Sequence, residues 1–173
     1  MSKSFFQNLL ITFFLILVQV LICNHIMLFN IATAFVCIYV IVRLQMDLNT
    51  NWLLTWGFLT GLLVDIFSDS PGVFSLACTI LAMVKRPCLY AYVPKDDRTK
   101  NVTPSLSELG FGVYGKYLFS MSFIFSLLIF VIEYLNFADV KDIVLMSLGS
   151  AVFTFMILLG VDSLIVTRSE KGL

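Results

Sequence analysis

Residues 4–42 contain no Asp, Glu, Lys or Arg, and this uncharged run constrains the fold more than any other feature. A transmembrane helix takes about 20 mostly apolar residues, so a run of this length reads as two crossings. The polar triplet Cys23-Asn24-His25 marks the turn between them. The first crossing is expected near 5–23 and the second near 27–43, ending at Arg43. The first follows Lys3 directly and has no small-residue pattern behind it, so it reads as a retained span rather than a cleaved signal.

The rest of the chain agrees. Hydrophobic residues make up 60%, charged residues 13%, and the mean hydropathy is +0.98, against roughly 45–50% apolar and about 25% charged in a soluble domain. At 173 residues, a water-soluble fold could not hide that much apolar surface. The expected fold is one all-α integral membrane domain, residues 1–173, with six transmembrane helices.

Four further crossings follow, near 52–67, 72–92, 114–135 and 143–166. Trp52 and Trp56 open the third as interfacial anchors. Ser68-Asp69-Ser70-Pro71-Gly72 stops it and starts the fourth, with Ser70 as a cap and Pro71 suited to the first turn. The fourth is short on its apolar side: Val73 to Val84 covers only about 20 Å of a bilayer core of about 30 Å. Pro87 predicts a kink or break near Arg86, with Lys85 and Arg86 snorkelling and Tyr90 and Tyr92 at the headgroups. Residues 94–112 form one long polar loop, in which Ser105-Leu106-Ser107-Glu108 has capping-box spacing and Gly110, Gly112 and Gly115 punctuate the approach to the fifth crossing.

Basic residues set the orientation. With both termini inside, Lys3, Arg43, Lys85, Arg86, Lys95, Arg98, Lys100, Lys116, Arg168 and Lys171 all fall on the cytoplasmic side, leaving only Lys141 outside. The basic loop from Lys85 to Lys100 serves topology and anionic headgroups, or docks a cytoplasmic partner through Lys95, Arg98 and Lys100; Asp96 and Asp97 interrupt its charge.

Gly57, Gly61 and Asp65 recur every four residues and share one face of the third crossing. Gly57 to Gly61 is a G-x-x-x-G pattern, which admits a neighbouring backbone in lipid. A carboxylate at Asp65 needs partners. It accepts N–H bonds from the start of the next helix, around Gly72 and Val73, or shapes a partner-binding surface, or lines an ion pathway. Asp162 is expected in an ion pair with Lys116, Arg43 or Arg168. Gln19, Ser120, Ser122, Ser126 and Ser150 read as interhelical hydrogen-bonding groups.

Nothing reads as catalytic. His25 is the single histidine, and Cys23, Cys37, Cys78 and Cys88 are scattered as small hydrophobes without a C-x-x-C pair. H-E-x-x-H, G-x-S-x-G and phosphate-loop patterns are missing. Asp65 and Asp162 are expected near opposite surfaces, too far apart for an aspartyl protease dyad. No cofactor or metal is expected.

The segment Trp56-Gly57-Phe58-Leu59-Thr60-Gly61-Leu62-Leu63-Val64-Asp65, continuing to Gly72, resembles the signature region of the bacterial rod shape-determining MreD family. That family shows a glycine, an apolar pair, an aspartate and a glycine opening the next helix, roles that fall here to Gly61, Leu62, Leu63, Asp65 and Gly72. Asn30-Ile31-Ala32-Thr33 departs from it, since many members carry a proline at the start of the second helix. The resemblance implies a non-enzymatic scaffold in the bacterial cytoplasmic membrane that binds MreC. Around it would stand MreB, a SEDS glycosyltransferase and a penicillin-binding transpeptidase. It also implies a fold similar to the substrate-binding S-component of energy-coupling-factor transporters. A vitamin-binding transporter subunit is therefore the alternative; against it, the expected first helix contains no alanine to meet a coupling subunit.

Overall fold

The computed structural model describes residues 17, 19, 27–28, 32–46, 48–68, 70–93, 103–134 and 139–170. Two short strands, β1 (Met27–Leu28) and β2 (Ala32–Thr33), pair antiparallel with Met27 opposite Thr33. A six-residue helix follows, α1 (Ile38–Arg43), and then four long ones: α2 (Thr50–Ser68), α3 (Val73–Tyr92), α4 (Leu106–Tyr134) and α5 (Val140–Glu170). All four long helices are long and apolar enough to cross a membrane. They are the third to sixth crossings expected from the sequence. The expected first crossing at 5–23 lies outside the described residues, apart from Leu17 and Gln19.

The long helices pack in chain order, α2 on α3, α3 on α4 and α4 on α5, while α1 and β2 pack inside against them. The centre is aromatic. Phe35 meets the rings of Phe125, Phe74 and Phe130 edge-on, at centroid distances of 5.3, 6.1 and 6.3 Å, which is the arrangement favoured by the ring quadrupoles.

The second expected crossing is corrected. Residues 27–43 do not form one helix: strands occupy 27–28 and 32–33, residues 34–37 are not helical, and α1 supplies only 38–43. Every residue from Ala34 to Val42 is nonetheless buried. Buried non-helical backbone is tolerated only where protein satisfies its polar groups, and here side chains do so. Thr33 N–H donates to Ser150 Oγ and Phe35 N–H to Thr154 Oγ1, both at 3.0 Å. Val36 and Cys37 N–H donate to Gln19 Oε1 at 2.6 and 3.3 Å, and Gln19 Nε2 returns a bond to the Ala34 carbonyl at 3.1 Å. The register has a simple origin. Alternate residues of an extended chain repeat about every 6.6 Å, and a four-residue helical step rises about 6 Å, so Ser150 and Thr154 on α5 match Thr33 and Phe35. Uniform hydrophobicity concealed this, because periodicity cannot separate a buried extended run from a buried helix.

Two further boundaries differ. Pro87 lies inside α3, which continues through it to Tyr92, so the expected break does not occur. α4 starts at Leu106, well before the expected 114, and absorbs the end of the expected 94–112 loop; Gly110, at φ 71° and ψ 158°, interrupts it. Glycine adopts that conformation without a Cβ clash, which accounts for the short helical piece ahead of the main span.

Candidate functional site

The segment carrying the glycine–aspartate pattern folds into the corner between α2 and α3. Asp65 is buried near the end of α2. Its Oδ1 accepts from Ser70 Oγ and from Phe74 N–H, both at 2.9 Å, and its Oδ2 accepts from Ser75 N–H at 2.8 Å. The first N–H groups of a helix have no partner within it. A side-chain oxygen at the N-cap ordinarily supplies one, but the N-cap of α3 is Gly72, at φ 82°, which has no side chain. Asp65 therefore caps α3 from the preceding helix, where the positive end of the dipole favours an anion. Expected donors around Gly72 and Val73 are replaced by Phe74 and Ser75. Ser70, expected to cap α3, donates to Asp65 instead.

Gly57 and Gly61 face inward toward α3. A Cβ on Gly61 would stand 2.5 Å from the Phe74 carbonyl oxygen and collide with Ser75 Cα. One on Gly57 would stand 2.9 Å from both Ala82 Cβ and the Cys78 carbonyl oxygen. The G-x-x-x-G face is thus occupied by the protein's own next helix. Toward its end α2 leaves an apolar ridge exposed on the opposite side: Phe58, Leu59, Leu62, Leu63, Ile66 and Phe67.

A second buried carboxylate organises a junction between α1, α4 and α5. Asp162 is fully buried on α5. Tyr39 Oη–H donates to its Oδ1 at 2.7 Å, Arg43 Nη1 lies 3.4 Å from the same oxygen, and Leu106 N–H donates to Oδ2 at 2.9 Å. Arg43 also donates to Tyr39 Oη at 2.8 Å. Of the three expected counter-charges the structure selects Arg43. Lys116 is exposed on α4, and the Arg168 side chain lies outside the described residues. Sequence reasoning missed Tyr39 and the start of α4. The spacing of Tyr39 and Arg43, one helical turn apart, was the available signal.

Lys85 and Arg86 both find partners within the protein. Lys85 is fully buried and its ammonium donates to the Leu44 carbonyl just beyond α1. Arg86 donates to Thr50 Oγ1 at 2.9 Å and to the Met46 carbonyl at 3.2 Å, and also to that of Leu48. Both cations therefore fasten the α1–α2 connection to α3. Lys95, Arg98 and Lys100 lie outside the described residues.

Among the hydroxyls, Ser120 joins helices as expected, sharing a hydrogen with Tyr92 Oη at 2.7 Å. Ser126 bonds back to the Ser122 carbonyl of its own helix at 2.9 Å. Gln19 and Ser150 serve the backbone between β2 and α1 and its edges rather than another helix, and Thr154, which sequence reasoning missed, does the same. Cys37, Cys78 and Cys88 are free thiols. Among the described residues no group of three or more His, Cys, Asp or Glu side chains could hold a metal ion.

The two carboxylates lie at opposite ends of the long helices; Asp65 accepts three hydrogen bonds from its own chain, and Asp162 accepts two and pairs with Arg43. Their geometry is that of structural acceptors. Compared with protein families, with curated proteins and with solved structures, the chain has no match.

Proposed function

We propose that this chain is a non-enzymatic, multi-pass scaffold of the bacterial cytoplasmic membrane that acts in the cell-elongation complex as MreD-like proteins do. In this reading it holds MreC and helps to organise peptidoglycan synthesis and cell shape. A SEDS glycosyltransferase, a penicillin-binding transpeptidase and MreB stand in the same assembly, with Lys95, Arg98 and Lys100 on the cytoplasmic side.

One observation carries the reading: the division of labour inside the segment that resembles the family. Gly61, Asp65 and Gly72 build the α2–α3 corner, while Leu62 and Leu63 point away from it beside Ile66 and Phe67. The polar members of the pattern make the corner rigid, and its apolar pair is left on the lipid-facing ridge. A partner's single transmembrane helix would pack on that ridge by close van der Waals fit, since lipid offers no hydrophobic driving force between helices.

The test is a photocrosslinking residue at Leu62 or Ile66 in native membranes, followed by a pull-down read by mass spectrometry. Recovery of MreC and elongation synthases supports the scaffold. Recovery of an energy-coupling ATPase pair replaces it with the vitamin-subunit reading, and capture of neither defeats the ridge as a docking surface.

A further inference from the structure

The α3–α4 seam opens sideways into a groove of about 420 Å³. Its length is chemically graded. Pro87 and Cys88 of α3 and Phe123 and Ile124 of α4 form an apolar stretch, and Tyr92 and Ser120 form a polar end. The Tyr92 and Ser120 hydroxyls share one hydrogen bond at 2.7 Å. Two hydroxyls carry two protons, so one remains to donate outward whichever way that bond runs. One turn further toward the start of α4 lies Lys116, exposed and on the same helix face as Ser120 and Phe123. No described carboxylate lies within ion-pair distance of it. Lys85 and Arg86, by contrast, are turned to the α1–α2 connection.

The geometry points to a binding site for one anionic glycerophospholipid of the surrounding membrane. An acyl chain lies along Pro87, Cys88, Phe123 and Ile124, and the phosphate group meets the free hydroxyl proton and the Lys116 ammonium. Three features argue for this occupant over a partner helix. The groove is apolar at one end and hydroxylated at the other, as a lipid is. The cation sits one turn beyond the hydroxyls, where a headgroup would be. That end of α3 and α4 is also the end at which the sequence concentrates its basic residues. Basic clefts between transmembrane helices on the cytoplasmic side suit such headgroups. This site is independent of the scaffold reading, since no residue of α2 lines it.

Native mass spectrometry of the purified chain in neutral detergent tests it, with phosphatidylglycerol and phosphatidylethanolamine of identical acyl chains as probes. The expected result is one phosphatidylglycerol retained about fivefold over phosphatidylethanolamine, the size of one cation's contribution near a headgroup. Lys116→Gln should erase that preference and Lys116→Arg should keep it, neither changing the unfolding temperature. Ala91→Trp, which fills the groove from α3, should lower retention of both lipids. Equal retention by the unmodified chain overturns the proposal, as does a preference that survives Lys116→Gln. A photocrosslinker at Phe123 should yield a lipid adduct in native membranes, and a protein adduct would overturn the choice of occupant.

Discussion

Asp65 and Asp162 are both buried carboxylates at helix N-termini, yet they hold the molecule at different scales. Asp65 draws its donors from residues 5, 9 and 10 positions away, so its corner is complete once α2 and the start of α3 exist. Asp162 draws on Tyr39, 123 positions away, and Leu106, 56 away, and so ties three separate elements. The company differs too. Asp65 is met by neutral hydroxyl and amide donors, Asp162 by a guanidinium as well. A local corner sets the angle between neighbours in sequence, whereas a long-range junction determines whether distant parts of the chain share one fold.

The largest effect is expected at the junction. Asp162→Ala leaves the Arg43 charge and the Tyr39 and Leu106 donors without their acceptor, at a cost of about 3–5 kcal/mol. Thermal unfolding in detergent measures it, and adding Arg43→Met should recover part of the loss. A cost equal to that of Asp65→Ala would erase the distinction. Next comes Gly61→Leu, which drives a side chain into the backbone of α3 and should cost about 1–3 kcal/mol, with Gly57→Ala milder because it meets a methyl and one carbonyl.

Asp65→Ala removes a cap and should cost about 1–2 kcal/mol, with Asp65→Asn near the lower end and leaving partner capture intact. Capture lost in Asp65→Asn at unchanged expression would show that the corner does more than shape itself. Thr154→Val, which strips the acceptor from Phe35 N–H, should cost about 1 kcal/mol while Thr154→Ser stays near neutral. Smallest of all, the coupling between Asp65 and Asp162 substitutions should fall within about 0.5 kcal/mol, since the sites share no partner. A larger value would mean that corner and junction are one unit.

The four long helices were legible because each is an apolar run bounded by polar turns, and the Asp65 corner was legible because Gly57, Gly61 and Asp65 repeat at the helical period. The chemistry there was read to within two residues of the true donors. What stayed hidden was whatever depends on distant contacts. Nothing local in Thr33-Ala34-Phe35-Val36 says that it is not helical; the partners of its backbone are a pair of hydroxyls on α5 and the Gln19 amide. Lys85 and Arg86 looked like membrane-surface cations because the carbonyls that claim them belong to the connection near residues 44–48. Pro87 suggested a kink or break from local sterics, and α3 nonetheless runs through it to Tyr92.

The hydroxyl ladder on the extended segment imposes an order on biosynthesis. Thr33 and Phe35 wait for acceptors that emerge 117 and 119 residues later, an interval of roughly 6–24 s at ordinary translation rates. Until α5 arrives, those amides must be solvated by water, lipid headgroups or an insertion chaperone. A chain truncated before Ser150 would carry that debt permanently, and membrane quality control would have an unpaired backbone to recognise.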